Sequence, residues 1–383
     1  MICLTGSNIG DPPRYNEIEI SVFGPGYGES VLIHLGQHEW MVVDSCVDAL
    51  SGQPAPIQYL RNLGVNPAET VKLVIATHWH DDHIRGLGNV FRVCDNAQFI
   101  CSAALRSQEF LTLVAAASTR AMMTSSGVQE FADILDTLQK KRPKSVRTES
   151  VGPMLATADR LLWQRRPPDG LPGTVHALSP SDASITLAFH EISRLLPGVG
   201  QSKKRIVAQS PNLVAVALWV CVGDIILLLG SDLEETHNSG TGWSVIVDST
   251  TRPSGTAGVF KIPHHGSVTA DQPRVWNEML QPEPIAILTP FVQGNVLLPT
   301  PVDVDRICSR TMQAYTTSDV HPRKSKRRSG ALEKTIRETV RHIRDAQAPM
   351  GQVRLRRPAV AQTTNDWKVD LFGAALPLSS LLS

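Results

Sequence analysis

Val71-Lys72-Leu73-Val74-Ile75-Ala76-Thr77-His78-Trp79-His80-Asp81-Asp82-His83 is the stretch whose reading decides the fold. Of the first six residues all but Lys72 are apolar, mostly β-branched or leucine, which reads as a buried strand. The next seven hold three imidazoles and two carboxylates, so the polar chemistry begins where the strand opens into a loop. His78 and His80 share a side through the alternation of an extended chain, and Asp82 and His83 come from the turn that follows. Imidazole and carboxylate are suitable ligands for a borderline divalent ion. The spacing therefore predicts a metal site on an α/β scaffold, with further ligands to be found elsewhere.

The pattern His-x-His-x-Asp-His resembles the motif of the metallo-β-lactamase superfamily at each of its positions. That resemblance implies an αββα sandwich whose metal site lies along one edge, between two similar halves. It further implies that His78 and His80 serve one ion and Asp82 and His83 a second. Downstream, Leu228-Leu229-Gly230-Ser231-Asp232 ends an all-apolar strand in a carboxylate, which is costly to bury unless it is paired or metal-bound. By the same resemblance Asp232 is the bridging carboxylate, with Ser231 interrupting the usual Gly-Asp. Val259-Phe260-Lys261-Ile262-Pro263-His264-His265-Gly266-Ser267 is similar to the Lys-x-Pro-His-His-Gly-Ser segment of ComEC-type DNA-uptake domains and phosphorylcholine esterases. One of its histidines should complete the second site; His265 is favoured, which leaves His264, with Asn212 and Ser267, to orient a substrate. No histidine occupies the expected context of a third ligand to the first ion, although His176 and His190 are candidates.

The N-terminal third follows the same order. Phe23-Gly24-Pro25-Gly26-Tyr27-Gly28-Glu29 is a glycine-rich turn between strand-like runs, with Glu29 where the ComEC-type pattern has Asp. Trp40 to Asp44 is a strand ending in a carboxylate, expected to support the metal loop through hydrogen bonds. Residues 102–173 fall outside the resemblance and read as a helical and irregular insertion: two or three helices up to Arg142, then a proline-rich connection to Gly173. Residues 1–320 are thus expected to form the hydrolase domain.

The remaining residues, 321–383, read as a basic extension packed on that domain or appended to it. From His321 to Arg357 there are twelve Lys or Arg against three acids, in a chain whose net charge is only +1. A globally basic protein is excluded, so nucleic acid would be held by a local patch, with Arg323, Lys324, Lys326, Arg327 and Arg328 as its densest part. Leu332, Ile336, Val340 and Ile343 give the segment one apolar helical stripe, and Trp367 to Leu382 suits a last strand or a partner-binding end. The six cysteines form no CxxC pair, which predicts reduced thiols. No run of roughly 18 apolar residues predicts a membrane span, and Met1 to Pro13 lacks the pattern of a signal peptide. A cytoplasmic protein is expected.

Together these readings predict a hydrolase using two divalent ions, Zn or Mn, with phosphodiesters as substrates and nucleic acid as their source. The resemblance extends to hydrolases of bacterial antiviral defence. The alternatives are a small-molecule hydrolase, such as a phosphocholine-type esterase, nucleotide phosphodiesterase or lactonase, and a weakly catalytic module that binds nucleic acid or a protein partner.

Overall fold

The computed structural model describes residues 8–24, 28–106, 126–140, 152–166, 168, 170–195, 211–236, 238–320, 350–359 and 367–382. The first sheet takes β1 (Glu17–Gly24), β2 (Ser30–His34), β3 (Trp40–Val43), β4 (Val71–Ala76), β5 (Gln98–Ser102) and β6 (Met154–Ala156). The second takes β7 (Arg160–Arg165), β8 (Gly173–Ala177), β9 (Leu218–Val222), β10 (Ile225–Leu229), β11 (Ala257–Lys261) and β12 (Leu280–Leu288). A hairpin of β13 (Phe291–Gln293) and β14 (Val296–Leu298) stands apart, and β15 (Ala314–Thr316) returns to the second sheet. The C-terminal strands β16 (Gly351–Pro358) and β17 (Lys368–Phe372) join the first sheet and β18 (Leu376–Pro377) joins the second.

Each sheet has eight strands, in the orders β17-β16-β1-β2-β3-β4-β5-β6 and β18-β15-β12-β11-β10-β9-β8-β7. The two halves repeat one plan. Antiparallel pairing runs to β3 in the first and to β10 in the second, and parallel crossovers follow, β3–β4–β5 and β10–β11–β12. Parallel strands need covering on both faces, which explains the apolar runs of β10 and, Lys72 aside, of β4. Between the sheets, Ile20, Val22, Ile33, Leu73 and Ile75 meet Val175, Leu218, Val220, Leu227, Val259 and Ile287. Outside the first sheet, Tyr59, Leu60, Val90, Phe91, Phe131 and Ile134 from helices cover Leu32, Val42, Val74 and Phe99. Outside the second, Trp243, Ile246, Val275 and Ile307 cover Trp219, Leu228, Phe260 and Leu288. The layers are helix, sheet, sheet, helix: the metallo-β-lactamase sandwich.

Two boundaries differ from the sequence reading. The connection expected to be irregular up to Gly173 contains β6 and β7, which extend both sheets, β6 beside β5 and β7 beside β8. Flanking prolines and the short length of these strands concealed them. Among the described residues of the insertion there is one α-helix, Ser126–Lys140, and the rest of the helical expectation, 107–125, lies outside them. The second difference is the C-terminus. Residues 351–358 pair along the whole of β1, so β16 is an interior strand of the sandwich rather than part of an appendage.

That placement reassigns three of the tail's cations. Arg354 is buried against Asp370 at 2.9 Å and the Tyr59 hydroxyl at 3.2 Å, and Arg356 pairs with Glu19 at 2.8 Å. Arg357 pairs with Asp224 at 3.1 Å. Glu19, Ser21, Gln352, Arg354, Arg356 and Asp370 alternate with core residues and form a buried polar layer on the outer face of β1, β16 and β17. The denser cluster Arg323, Lys324, Lys326, Arg327 and Arg328, and the apolar stripe behind it, lie outside the described residues. Among the described residues no helix is long and apolar enough to cross a membrane.

Candidate metal centre

The ends of β3, β4, β10 and β11 converge at one edge of the sandwich, as expected where strand order changes from antiparallel to parallel. Four non-glycine residues there adopt left-handed φ: Asp44 at 57°, Ser231 at 48°, His264 at 45° and His265 at 55°. Such conformations cost about 1–3 kcal/mol each and persist where the surrounding structure enforces them, commonly at functional sites. Gly28, φ 101°, permits a close approach that a side chain would hinder, since a Cβ there would lie 3.2 Å from the Asp82 carbonyl.

Of three groups of ligand atoms within 4.8 Å of one another at this edge, two contain Asp232, namely Asp82, His83, Asp232 and His265, and His78, His80 and Asp232; the third is Asp44, His78 and His83. All of these except His80, which is half-buried, are at most 5 % exposed. His83 Nε2 lies 3.2 Å from Asp232 Oδ1 and 3.7 Å from Asp82 Oδ2. His265 Nε2 lies 3.2 Å from Asp82 Oδ2 and 3.4 Å from Asp232 Oδ2. His78 Nε2 is 3.9 Å from Asp232 Oδ2 and 3.1 Å from His80 Nδ1. His83 Nε2, His265 Nε2 and Asp232 Oδ1 are buried and have no hydrogen-bond partner. Orphaned atoms of both kinds, aimed at one point, fit a cation better than they fit one another.

Electrostatics agree. Burial works against charge on His83 and His265, but Asp232 and Asp82 outweigh it. They hold the His83 imidazole well above its ordinary value and push His265 up to about 10. Asp232 and Asp82 move down despite burial, chiefly through His83, with His265 adding to it. Two protons thus offset two buried carboxylates when nothing else is bound, and a divalent ion can take their place. Burial lowers His78 and His80, leaving them neutral and ready to donate lone pairs.

A supporting shell fixes the rings. Asp44 Oδ2 accepts the His83 Nδ1–H at 2.8 Å and the Thr77 hydroxyl at 2.6 Å, and its Oδ1 accepts the Thr77 N–H at 2.8 Å. The His265 Nδ1–H donates to the Thr289 carbonyl at 3.0 Å. Both assignments leave the Nε2 lone pair free for an ion.

His264, Asn212 and Ser267 sit beside this centre. The Asn212 amide N–H donates to Glu234 Oε1 at 2.7 Å and lies 3.3 Å from His264 Nε2, while His264 Nδ1 lies 3.0 Å from Thr269 Oγ1. Ser267 Oγ is 3.1 Å from the same Thr269 hydroxyl. His176 and His190, the candidate third ligands, fall in β8 and in the helix Asp182–Leu195, in none of the ligand groups. Sequence reasoning gave no role to Glu29, Lys261, Glu234 or Thr289. Glu29 and Lys261 stood at motif positions without a role, and Glu234 and Thr289 showed only polarity near a motif, because partners such as Glu29 and Thr289 lie far apart in the chain.

Residues 23–120 match the family model described as Metallo-beta-lactamase superfamily. Among solved structures the chain is similar to the metallo-beta-lactamase fold protein YhfI from Bacillus subtilis, at 16 % identity and TM-score 0.29 over 58 % of this chain. It spans 65 % of that protein's length. A metallo-beta-lactamase from Cronobacter sakazakii is 15 % identical over 63 % of this chain and 75 % of its own, TM-score 0.29. The short form of human tRNase Z is 10 % identical over 57 % and 72 %, TM-score 0.27. The comparison with curated proteins gave no match.

Proposed function

We propose that this chain is a metal-dependent hydrolase that cleaves phosphodiester bonds, with nucleic acid as its substrate. The observation that carries the hydrolase assignment is Asp232, whose two oxygens face different imidazoles: Oδ1 faces His83, and Oδ2 faces His265 and His78. A carboxylate in that position would be shared by two ions, one held with His78 and His80 and one with Asp82, His83 and His265. Imidazole and carboxylate donors suit zinc and accommodate manganese. Bound there, the ions would supply Lewis acidity and an activated water at neutral pH.

The chain's own residues do the rest. Asp82, next to both His83 and His265, would orient the attacking water. His264 would face the substrate, its Nε2 accepting from the Asn212 amide and its ring fixed further by Thr269. The Ser267 hydroxyl can donate to a phosphoryl oxygen. The choice of phosphodiesters rests on the likeness of residues 261–267 to the Lys-x-Pro-His-His-Gly-Ser segment. The choice of nucleic acid rests on the charge excess from Arg323 to Arg328.

A second reading has its own support. The group of His78, His80 and Asp232 offers three ligands against four in the other, which suits a centre with one firmly held ion acting on a small phosphodiester. One experiment separates the two. The metal-loaded protein is assayed on single- and double-stranded DNA and RNA and on a chromogenic phosphodiester, across a salt series, beside a variant with Arg323, Lys324, Arg327 and Arg328 changed to Gln. The nuclease reading expects the variant to lose salt-dependent affinity, each lost phosphate contact lowering the log–log slope by about 0.9 on duplex DNA, while small-substrate turnover holds. Cleavage of the small substrate alone, unaffected by the variant, overturns it.

A further inference from the structure

Glu29 and Lys261 form an ion pair that spans the two sheets. Glu29 immediately precedes β2 in the first sheet, and Lys261 is the last residue of β11 in the second. They are 2 % and 1 % exposed, with Nζ 2.6 Å from Oε2. A buried pair of this kind is a poor device for stability alone, because desolvating both charges offsets most of their attraction. What the pair touches is more informative.

Glu29 reaches three of the four residues in the Asp82 group. Its backbone N–H donates to the Asp82 carbonyl at 2.8 Å. Its Oε1 lies 3.9 Å from His83 Nδ1, on the side of the ring that Asp44 also holds. Its Oε2 accepts the Thr289 hydroxyl and lies 3.9 Å from His265 Nδ1, which donates to the Thr289 carbonyl. Lys261 in turn precedes His265 by four residues, and its carbonyl accepts the Gly230 N–H at 2.9 Å, two residues before Asp232. Among the described residues no ion pair or hydrogen bond joins either side chain to His78 or His80.

We propose that Glu29 and Lys261 are positioning residues that set the metal affinity of the Asp82, His83, Asp232 and His265 group, and not that of His78 and His80. The proposal rests on the metal-centre reading above. Lys261 neutralises Glu29 and anchors it. Glu29 then places its charge 3.9 Å from Nδ1 of both imidazoles and fixes Thr289, whose carbonyl accepts the His265 Nδ1–H, so that both Nε2 atoms face Asp232.

The test uses the full chain, stripped with a chelator and titrated with zinc by calorimetry and chelator competition. The variants are Glu29→Gln, Lys261→Met and the two combined; the melting temperature of each stripped protein is also recorded. The parent is expected to bind two zinc ions. All three variants should bind one ion as the parent does and the other about 10–100-fold more weakly, the usual effect of removing a group that orients a ligand. The double variant leaves no unpaired buried charge, so it should melt near the parent while its second affinity stays weak. If a single variant fails to fold, the double variant decides. Parent-like affinity for both ions in the double variant would overturn the proposal and reduce the pair to a tie between sheets. Equal weakening of both ions would also overturn it. A parent that binds no zinc would instead defeat the metal-centre reading, and this inference with it.

Discussion

Asp44→Asn should misdirect His83 without disturbing the backbone. Asp44 sits at φ 57°, a conformation that Asn tolerates about as well as Asp, so the turn survives the exchange. The carboxylate accepts three hydrogen bonds, from Thr77 N–H, Thr77 Oγ1–H and His83 Nδ1–H. An amide has one oxygen. It can keep the Thr77 N–H, and the Thr77 hydroxyl can rotate to accept instead of donate, but the His83 Nδ1–H then faces an N–H. Leaving that buried donor unsatisfied costs about 1–3 kcal/mol. The ring, otherwise protonated on both nitrogens in the stripped protein, avoids the cost by giving up the Nδ1 proton and keeping the one on Nε2, the atom that points at Asp232. Metal binding must then reverse the tautomer, and affinity should fall by about 10–100-fold, or roughly 1.4–2.7 kcal/mol. Zinc competition against a chromophoric chelator measures the affinity, and urea unfolding of the stripped protein measures the stability. Parent-like zinc affinity in Asp44→Asn would refute the tautomer argument, whatever the change in stability.

Two further outcomes follow from the same geometry. Asp82→Ala and His83→Ala should abolish hydrolysis while circular dichroism stays that of the parent, because both lie in the one-turn helix Asp81–Ile84 after β4 and belong to none of the hydrophobic clusters; full activity in either would remove it from the centre. His34 supplies a pH dependence away from the metal. Burial lowers its pKa from 6.5 to about 4, so the folded protein prefers the neutral ring. Its stability contribution is intact above about pH 6.5 and is lost as pH falls toward 4, by up to ~3 kcal/mol. Unfolding midpoints of His34→Gln from pH 7 to 4 should fall less steeply than the parent's, and parallel curves would contradict the assignment.

How much of this was legible in sequence depended on the distance over which each signal acts. The strand β4 and the ligands after it lie in one short segment, where alternation and ligand spacing are local facts. Asp232 could be singled out because it ends an apolar strand, where a polar side chain needs a reason, and His265 through the resemblance of residues 261–267. Glu29 and Lys261 could not, since their meaning is a contact between residues 232 positions apart on different sheets. The C-terminal arginines misled for a related reason. Charge counted along residues 321–357 does not distinguish a solvated face from β16, whose Arg354 and Arg356 find acids on neighbouring strands. β6 and β7 were hidden because three and six residues carry little periodicity between prolines.

The central claim is that one edge of the sandwich holds two ions that share Asp232. Elemental analysis of the purified chain after metal loading and desalting tests it most directly, with Asp232→Asn, which keeps the volume and removes the charge, measured alongside. The account predicts two equivalents of divalent metal in the parent and at most one in the variant. A parent without bound metal, or a variant that retains both ions, would contradict it.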